Sequence, residues 1–219
     1  MLSTDIFQAL WAWTPFLIEG FFWNIIIALS AVLIGVSVGS VLAFAKESGH
    51  PRWVAAGTFL ANTFHKLPTT AVLFYLAILM PREVQLGAET LVFPVWIKAT
   101  LALSMAQIGF TADNLAVAMR FWRQRQYNAA LLFIPNLGNN LLITVVASSS
   151  ASLVGVSELV SRCNKVVNAL DSQQLMLPLY FYASLFFLVF CVGMMQVFKA
   201  MRRSLGHQIA SRPLSLSSD

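Results

Sequence analysis

The sequence predicts an all-α membrane protein with five transmembrane helices, amino terminus outside and carboxyl terminus inside. Three observations carry that expectation. The 219 residues are 58% apolar and only 11% charged, against about 25% charge in a soluble domain, and the mean hydropathy is +0.73. The apolar residues gather into five runs close to the about 20 residues that a helix needs to cross hydrocarbon. Positive residues fall mostly on one set of the connections between those runs, as they do on the cytoplasmic side of membrane proteins.

The first run extends from about Phe21 to Phe44 and stops at Lys46-Glu47. A second covers about Thr58 to Met80, interrupted at Pro68 and closed by Pro81-Arg82-Glu83. The third is about Leu91 to Phe110, with Lys98 as its one charge, which is expected to snorkel outward along its aliphatic stem. Two more follow, about Leu131 to Val156 and about Leu175 to Phe198, the last ending before Lys199, Arg202 and Arg203. An odd number of spans places the termini on opposite sides. Lys46, Arg52, Lys66, Arg120, Arg123, Arg125, Lys199, Arg202, Arg203 and Arg212 then share one side, ten of the fourteen Lys and Arg residues, and that side is assigned to the cytoplasm. Met1 to Phe7 lacks the positive charge and small-residue cleavage site of a secretory signal, so it is expected to stay on the mature protein. Residues 1–210 read as one transmembrane domain and residues 211–219 as a polar, Ser-rich tail.

Several function classes drop out on composition. The net charge is +5, but the basic residues form no stripe, so nucleic acid is not an expected partner. Cys163 and Cys191 read as free structural thiols. His50, His65 and His207 lack metal-ligand spacing, and no metal is expected. There is no Gly-rich phosphate loop after a strand, so no enzyme activity and no bound cofactor are expected of this chain. Any uphill transport would draw on ATP held by a partner subunit.

The fourth run carries the most polar chemistry. Asn139, Asn140, Thr144, Ser148, Ser149, Ser150 and Ser152 cannot all face lipid, because each unpaired amide or hydroxyl there costs free energy. Two readings fit: the residues bind helix to helix, or Asn139, Asn140, Thr144, Ser148 and Ser149 line a polar path for a small solute. Asp113, an acid near a membrane core, is expected to be paired with a nearby base such as Arg120. Arg120, Arg123 and Arg125, interleaved with Phe121, Trp122 and Tyr127, read either as an anchor at the lipid interface or as a weak docking surface for an ATPase.

Two stretches resemble a known family. Leu17-Ile-Glu-Gly-Phe-Phe-Trp-Asn24 and Phe64-His-Lys-Leu-Pro-Thr-Thr70 are similar to the opening of permease subunits of polar amino-acid ABC importers. Ile134-Pro-Asn-Leu-Gly-Asn-Asn140 followed by Ser148-Ser-Ser-Ala-Ser-Leu-Val-Gly-Val-Ser-Glu-Leu159 resembles the family's Pro-x-Leu-Gly-Asn and Ser-Leu-Ala-Ser-x-x-Gly-Val-x-Glu-Leu segments. Phe110-Thr-Ala-Asp113 resembles its aromatic-x-Ala-Glu step. The resemblance implies a type I importer permease working by alternating access, with a second permease, ATPase subunits and a periplasmic solute-binding protein as partners in a bacterial inner membrane.

The departures are equally specific. The family's Arg-Gly-Thr-Pro reads His65-Lys-Leu-Pro68 here, and its Lys-Asp before the serines reads Val146-Ala147. Between Asp113 and Asn139 there is no second acid and no Gly before Gly138, so the coupling helix that docks on the ATPase is missing. That absence implies a weakly coupled half of a heterodimer. The alternatives are a non-transporting subunit that stabilises or regulates a partner, and an ATP-independent carrier.

Overall fold

Proline placement sets most element boundaries in the computed structural model, which describes residues 3–81, 83–86, 89–171 and 173–210. A proline ring pushes the preceding residue out of the helical region. His50, Leu67 and Met80, each followed by proline, have ψ of 121°, 122° and 118°. They separate α1 (Ser3–Lys46), α2 (Pro51–Lys66) and α3 (Thr69–Leu79) and end the last of these. An antiparallel hairpin follows, β1 (Glu83–Leu86) and β2 (Glu89–Val92), with Glu83 opposite Val92 and Leu86 opposite Glu89. Pro94 then precedes α4 (Val95–Arg123). Three residues, 124–126, turn the chain into α5 (Tyr127–Leu131) and α6 (Phe133–Ala147). A 3-10 helix, Ser148–Val154, ends on Gly155 at φ +92°, a left-handed position where glycine carries no Cβ penalty. Last come α7 (Leu159–Ala169), a 3-10 turn (Gln173–Leu175) and α8 (Met176–Ala210).

Four helical segments are long and apolar enough to cross a membrane: Leu10–Lys46, Val95–Arg123, Tyr127–Val154 and Gln173–Met201. The second expected span is not one of them. It is divided at Leu67-Pro68, and only its second piece, the 11-residue α3, is apolar. Alone, α3 is about 17 Å long at 1.5 Å per residue, against about 30 Å of hydrocarbon. The expected third span also shifts: Leu91 and Val92 belong to β2, and the helix begins after Pro94 and runs to Arg123 rather than stopping at Phe110. The bundle is helical as expected, with one small hairpin, β1–β2, between α3 and α4. The tail at 211–219 lies outside the described residues.

The centre of the fold is the contact between α1 and α4. Gly35 and Gly39 sit one turn apart on α1, where an added Cβ would lie 2.2 Å from Gln107 Cβ and 2.7 Å from Thr111 Cβ. Small residues at this spacing let two membrane helices approach closely. Ile27 and Ala31 of α1 pack there with Ala99, Ala102 and Leu103 of α4, joined by Leu73 of α3. A second cluster joins Leu17 of α1, Leu159, Cys163 and Val166 of α7, and Leu179 of α8.

Candidate functional site

A row of polar side chains runs through the apolar bundle. Residues 140, 144 and 148 recur every four positions and so share one helix face. Asn140 Nδ2 donates to Gln107 Oε1 of α4, Gln107 Nε2 donates to Thr144 Oγ1 at 2.6 Å, and Thr144 Oγ1 donates to the Asn140 carbonyl at 2.8 Å. Gln107 and Thr144 are buried. Further along the bundle, Asn24 Nδ2 donates to Ser148 Oγ at 2.9 Å and to Glu158 Oε2 at 3.0 Å. The Asn24 Oδ1 accepts from the Leu159 amide at 3.1 Å.

Glu158 closes this row. It is fully buried and caps α7, accepting from the amides of Ser161 at 2.8 Å and Val160 at 3.0 Å. An acid at a helix N-terminus satisfies orphan amides and complements the dipole. Burial nevertheless pushes its carboxyl above the ordinary range, against the opposing pull of the Asn24, Ser161 and Val160 hydrogen bonds. Next to it, the Cys163 thiol is pushed up to about 12 by burial and the Glu158 charge.

Of the five residues expected to line a path, the structure draws Asn140, Thr144 and Ser148 into these bonds and leaves the other two apart. Ser149 donates back to the Val146 carbonyl at 2.8 Å, as Ser150 and Ser152 do to Ala147 and Ser149. Asn139 is exposed on the outside of α6. The decisive partners, Asn24, Gln107 and Glu158, were not singled out from sequence. Their signal was available: an amide or acid inside or beside an apolar run is expensive and demands a partner.

At the opposite end of α4 the charges pair within the chain. Asp113 pairs with Lys46 Nζ at 2.5 Å and lies 3.6 Å from His65 Nδ1. Its expected partner, Arg120, is taken instead by Glu47 at 2.7 Å, because the α1 terminus packs between them. Arg123 also holds Glu47, 3.1 Å from Oε2 and 3.1 Å from the backbone carbonyl. Arg125 is exposed in the 124–126 turn at φ 59°, beside the edge-to-face pair Trp122 and Tyr127 at 4.9 Å.

Two further bases depart from the sequence reading. Lys98 does not snorkel: it is 2% exposed, and its ammonium donates to the Met80 carbonyl at the C-terminal end of α3, where a helix dipole favours positive charge. Arg162 grips Glu19 through two 2.7 Å bonds, donates to the Phe16 carbonyl at 2.8 Å and lies over the Phe16 ring at 4.5 Å. The pair fastens α7 onto α1. Among the described residues, no three His, Cys, Asp or Glu side chains gather as a metal site would require.

No protein-family model matches the sequence, and no protein of curated function matches it. A solved structure does match in three dimensions, a chain in the crystal structure of an amino acid ABC transporter with histidines. The TM-score is 0.76 at 16% identity, over 90% of this chain and 98% of that one. The likeness spans most of the helical bundle and establishes a shared fold.

Proposed function

We propose that this chain is a permease subunit of an ABC importer for polar amino acids or related small solutes, and the weakly coupled half of a heterodimer. One observation carries the second part. The connection between α4 and α6 is confined to residues 124–132, with the five-residue α5 as its one helix, and both arginines before it are engaged by Glu47. A connection this short offers no rigid lever by which closure of an ATPase could move the helices. The lever then belongs to a second permease, which with this chain encloses the solute site and alternates its access to the two sides. ATP binds to separate ATPase subunits, and a periplasmic solute-binding protein delivers the solute.

Charge supports an inner-membrane orientation. Lys46, His65, Arg120 and Arg123 meet at one end of the bundle, which we place in the cytoplasm; α7, with Arg162 and Lys165, then faces the periplasm. A fifth crossing is supported too, since His65 lies near Asp113 and Met80 meets Lys98. Those two α4 residues are about 22 Å apart along the helix, so the last turn of α2 and α3 together cover most of the bilayer as a broken span.

Uptake of labelled polar amino acids into cells lacking this chain tests the proposal. Uptake is expected to fall and to return when the chain is restored. Unchanged uptake, with only the abundance of the partner permease reduced, would favour the specific alternative that the Glu47 clamp suggests, a stabilising subunit that transports nothing. Replacing Arg120, Arg123 and Arg125 with Gln is expected to leave ATPase co-purification intact, whereas loss of an ATPase copy would make this turn a docking site.

A further inference from the structure

An open apolar groove lies beside the turn at 124–126. Its volume is about 310 Å³, and it is walled by Leu115, Met119 and Trp122 of α4 and by Leu131, Phe133 and Ile134 across from them. From Leu115 to Trp122 it follows α4 for about 10 Å at 1.5 Å per residue. At its upper end Trp122 meets Tyr127 edge to face, 4.9 Å between ring centroids. Aromatic rings at the end of a span mark the depth of the lipid headgroups, so the groove lies just beneath them, in hydrocarbon. Left empty, its walls would lose their dispersion partners. Water gains no hydrogen bonds from such a lining.

The charges around the turn do not balance. Glu47 takes both Arg120 and Arg123, one acid against two bases, and Asp113 is held by Lys46. Arg125 is exposed and meets no carboxylate among the described residues. The backbone beneath it is unusual as well. At the end of α4 the Gln126 amide donates to the Phe121 carbonyl at 2.9 Å and the Arg125 amide to that of Trp122 at 3.1 Å, a helix ending whose left-handed residue is usually glycine. Arg125 occupies that position at φ 59°, where its Cβ is crowded by the backbone. A cation is thus held between the two aromatic rings in sequence, at a place where glycine would fit better.

We propose that the groove and Arg125 form a site for one anionic phospholipid, with an acyl chain lying between α4 and α6 and the phosphate meeting the Arg125 guanidinium. Guanidinium matches phosphate through two parallel N–H bonds, and basic residues at headgroup level attract anionic lipid. A soluble ATPase reaches the turn but not Leu115 or Ile134 below the headgroups. A helix of another subunit would satisfy the site only by bringing an acid to the level of Arg125 along with an apolar ridge for the groove; a single lipid carries chain and charge already joined. The proposal requires the chain to lie in a bilayer and nothing of the solute it carries.

Lipids brominated on their acyl chains test the site, because bromine quenches a tryptophan that it touches. The complex that contains this chain is placed in phosphatidylcholine nanodiscs doped, at equal low mole fraction, with brominated phosphatidylglycerol or brominated phosphatidylcholine. The difference between wild type and Trp122→Phe isolates the Trp122 signal. Brominated phosphatidylglycerol is expected to reach Trp122 about fivefold more effectively than brominated phosphatidylcholine, the preference that one basic residue gives an anionic headgroup, and high salt is expected to shrink that ratio. Arg125→Gln is expected to bring the two lipids level, and Arg125→Lys to keep most of the preference. Equal quenching by the two lipids in wild type overturns the proposal, as does a preference that survives in Arg125→Gln. Absence of Trp122 quenching in the complex overturns it too; quenching that appears only after the other subunits are stripped away would assign the groove to a protein neighbour.

Discussion

Gln107 is the residue on which the bundle's polar chemistry turns, because its amide is both donor and acceptor and so joins two groups of α6 at once. Replacing Asn140 with Leu removes the donor to Gln107 Oε1 and leaves that oxygen buried, a loss of about 1 kcal/mol. Asn139→Leu removes no bond within the chain. Thermal unfolding in detergent is therefore expected to show a lower midpoint for the first variant and an unchanged one for the second; equal effects would contradict this division. From sequence the two asparagines look equivalent, since adjacent letters carry no face. About 100° of helical rotation separates them, and only the position of α4 decides which one is inside.

Glu158 gives a pH prediction at the same scale. Burial raises its carboxyl pKa in the folded chain above the ordinary value of 4.5, so the folded state holds the proton more tightly than the unfolded one. The resulting contribution to stability is full below 4.5 and is lost as pH rises through the raised value. Unfolding midpoints measured from pH 4 upward are expected to include this decline in the wild type and to lack it in Glu158→Gln. The variant also places an NH2 group among amide donors and weakens the α7 cap by about 1 kcal/mol. A pH profile identical in both proteins would contradict the assignment.

Among the elements, the α1–α4 contact is the least tolerant of added volume. Gly35→Leu drives a side chain into Gln107, whose Cβ would be 2.2 Å from the new one, and separates the helices that hold the polar row. Gly193 in α8 has open space around it, and Gly193→Ala is expected to be neutral or stabilising by up to about 1 kcal/mol through helix propensity. Comparing the amounts of folded protein recovered in detergent checks this: the first variant is expected to be lost and the second retained. The Gly35-Val-Ser-Val-Gly39 spacing was a legible signal of this contact, though the hydropathy reading passed over it.

Element boundaries were legible wherever proline or charge marked them and misplaced where apolar character ran on without a break. Leu91, Val92 and Phe93 lead smoothly into the apolar start of α4, so composition joins them to the span; the strand pairing of Leu91 with Val84 separates them. The far end of α4 was cut short for the converse reason. Thr111, Asp113 and Asn114 look like a boundary, yet the Lys46 pair, the Asn114 bond to its own helix and the packing on Gly39 make them compatible with helix.

At the scale of the whole molecule, hydropathy gave four of the long apolar helices, and the motif resemblance anticipated the ABC transporter fold to which the structural match points. The candidate site was less legible, because a polar row is defined by pairs from different helices: Asn24 with Ser148 and Glu158, and Gln107 with Asn140 and Thr144. Sequence names Asn140, Thr144 and Ser148 and leaves Asn24, Gln107 and Glu158 among ordinary residues. The intramolecular pairing of Arg120 and Arg123 with Glu47 was equally out of reach, since Glu47 lies just past α1 and the arginines lie far along the chain on α4. That pairing is what turns a shortened turn into an argument about coupling.

The most direct test of the account is the subunit composition of the complex released from native membranes through a tag on this chain, measured by native mass spectrometry. The account predicts one copy of this chain, one second permease that carries a coupling helix, and two ATPase subunits. This chain emerging alone, or as a pair of identical copies with no ATPase attached, would contradict it.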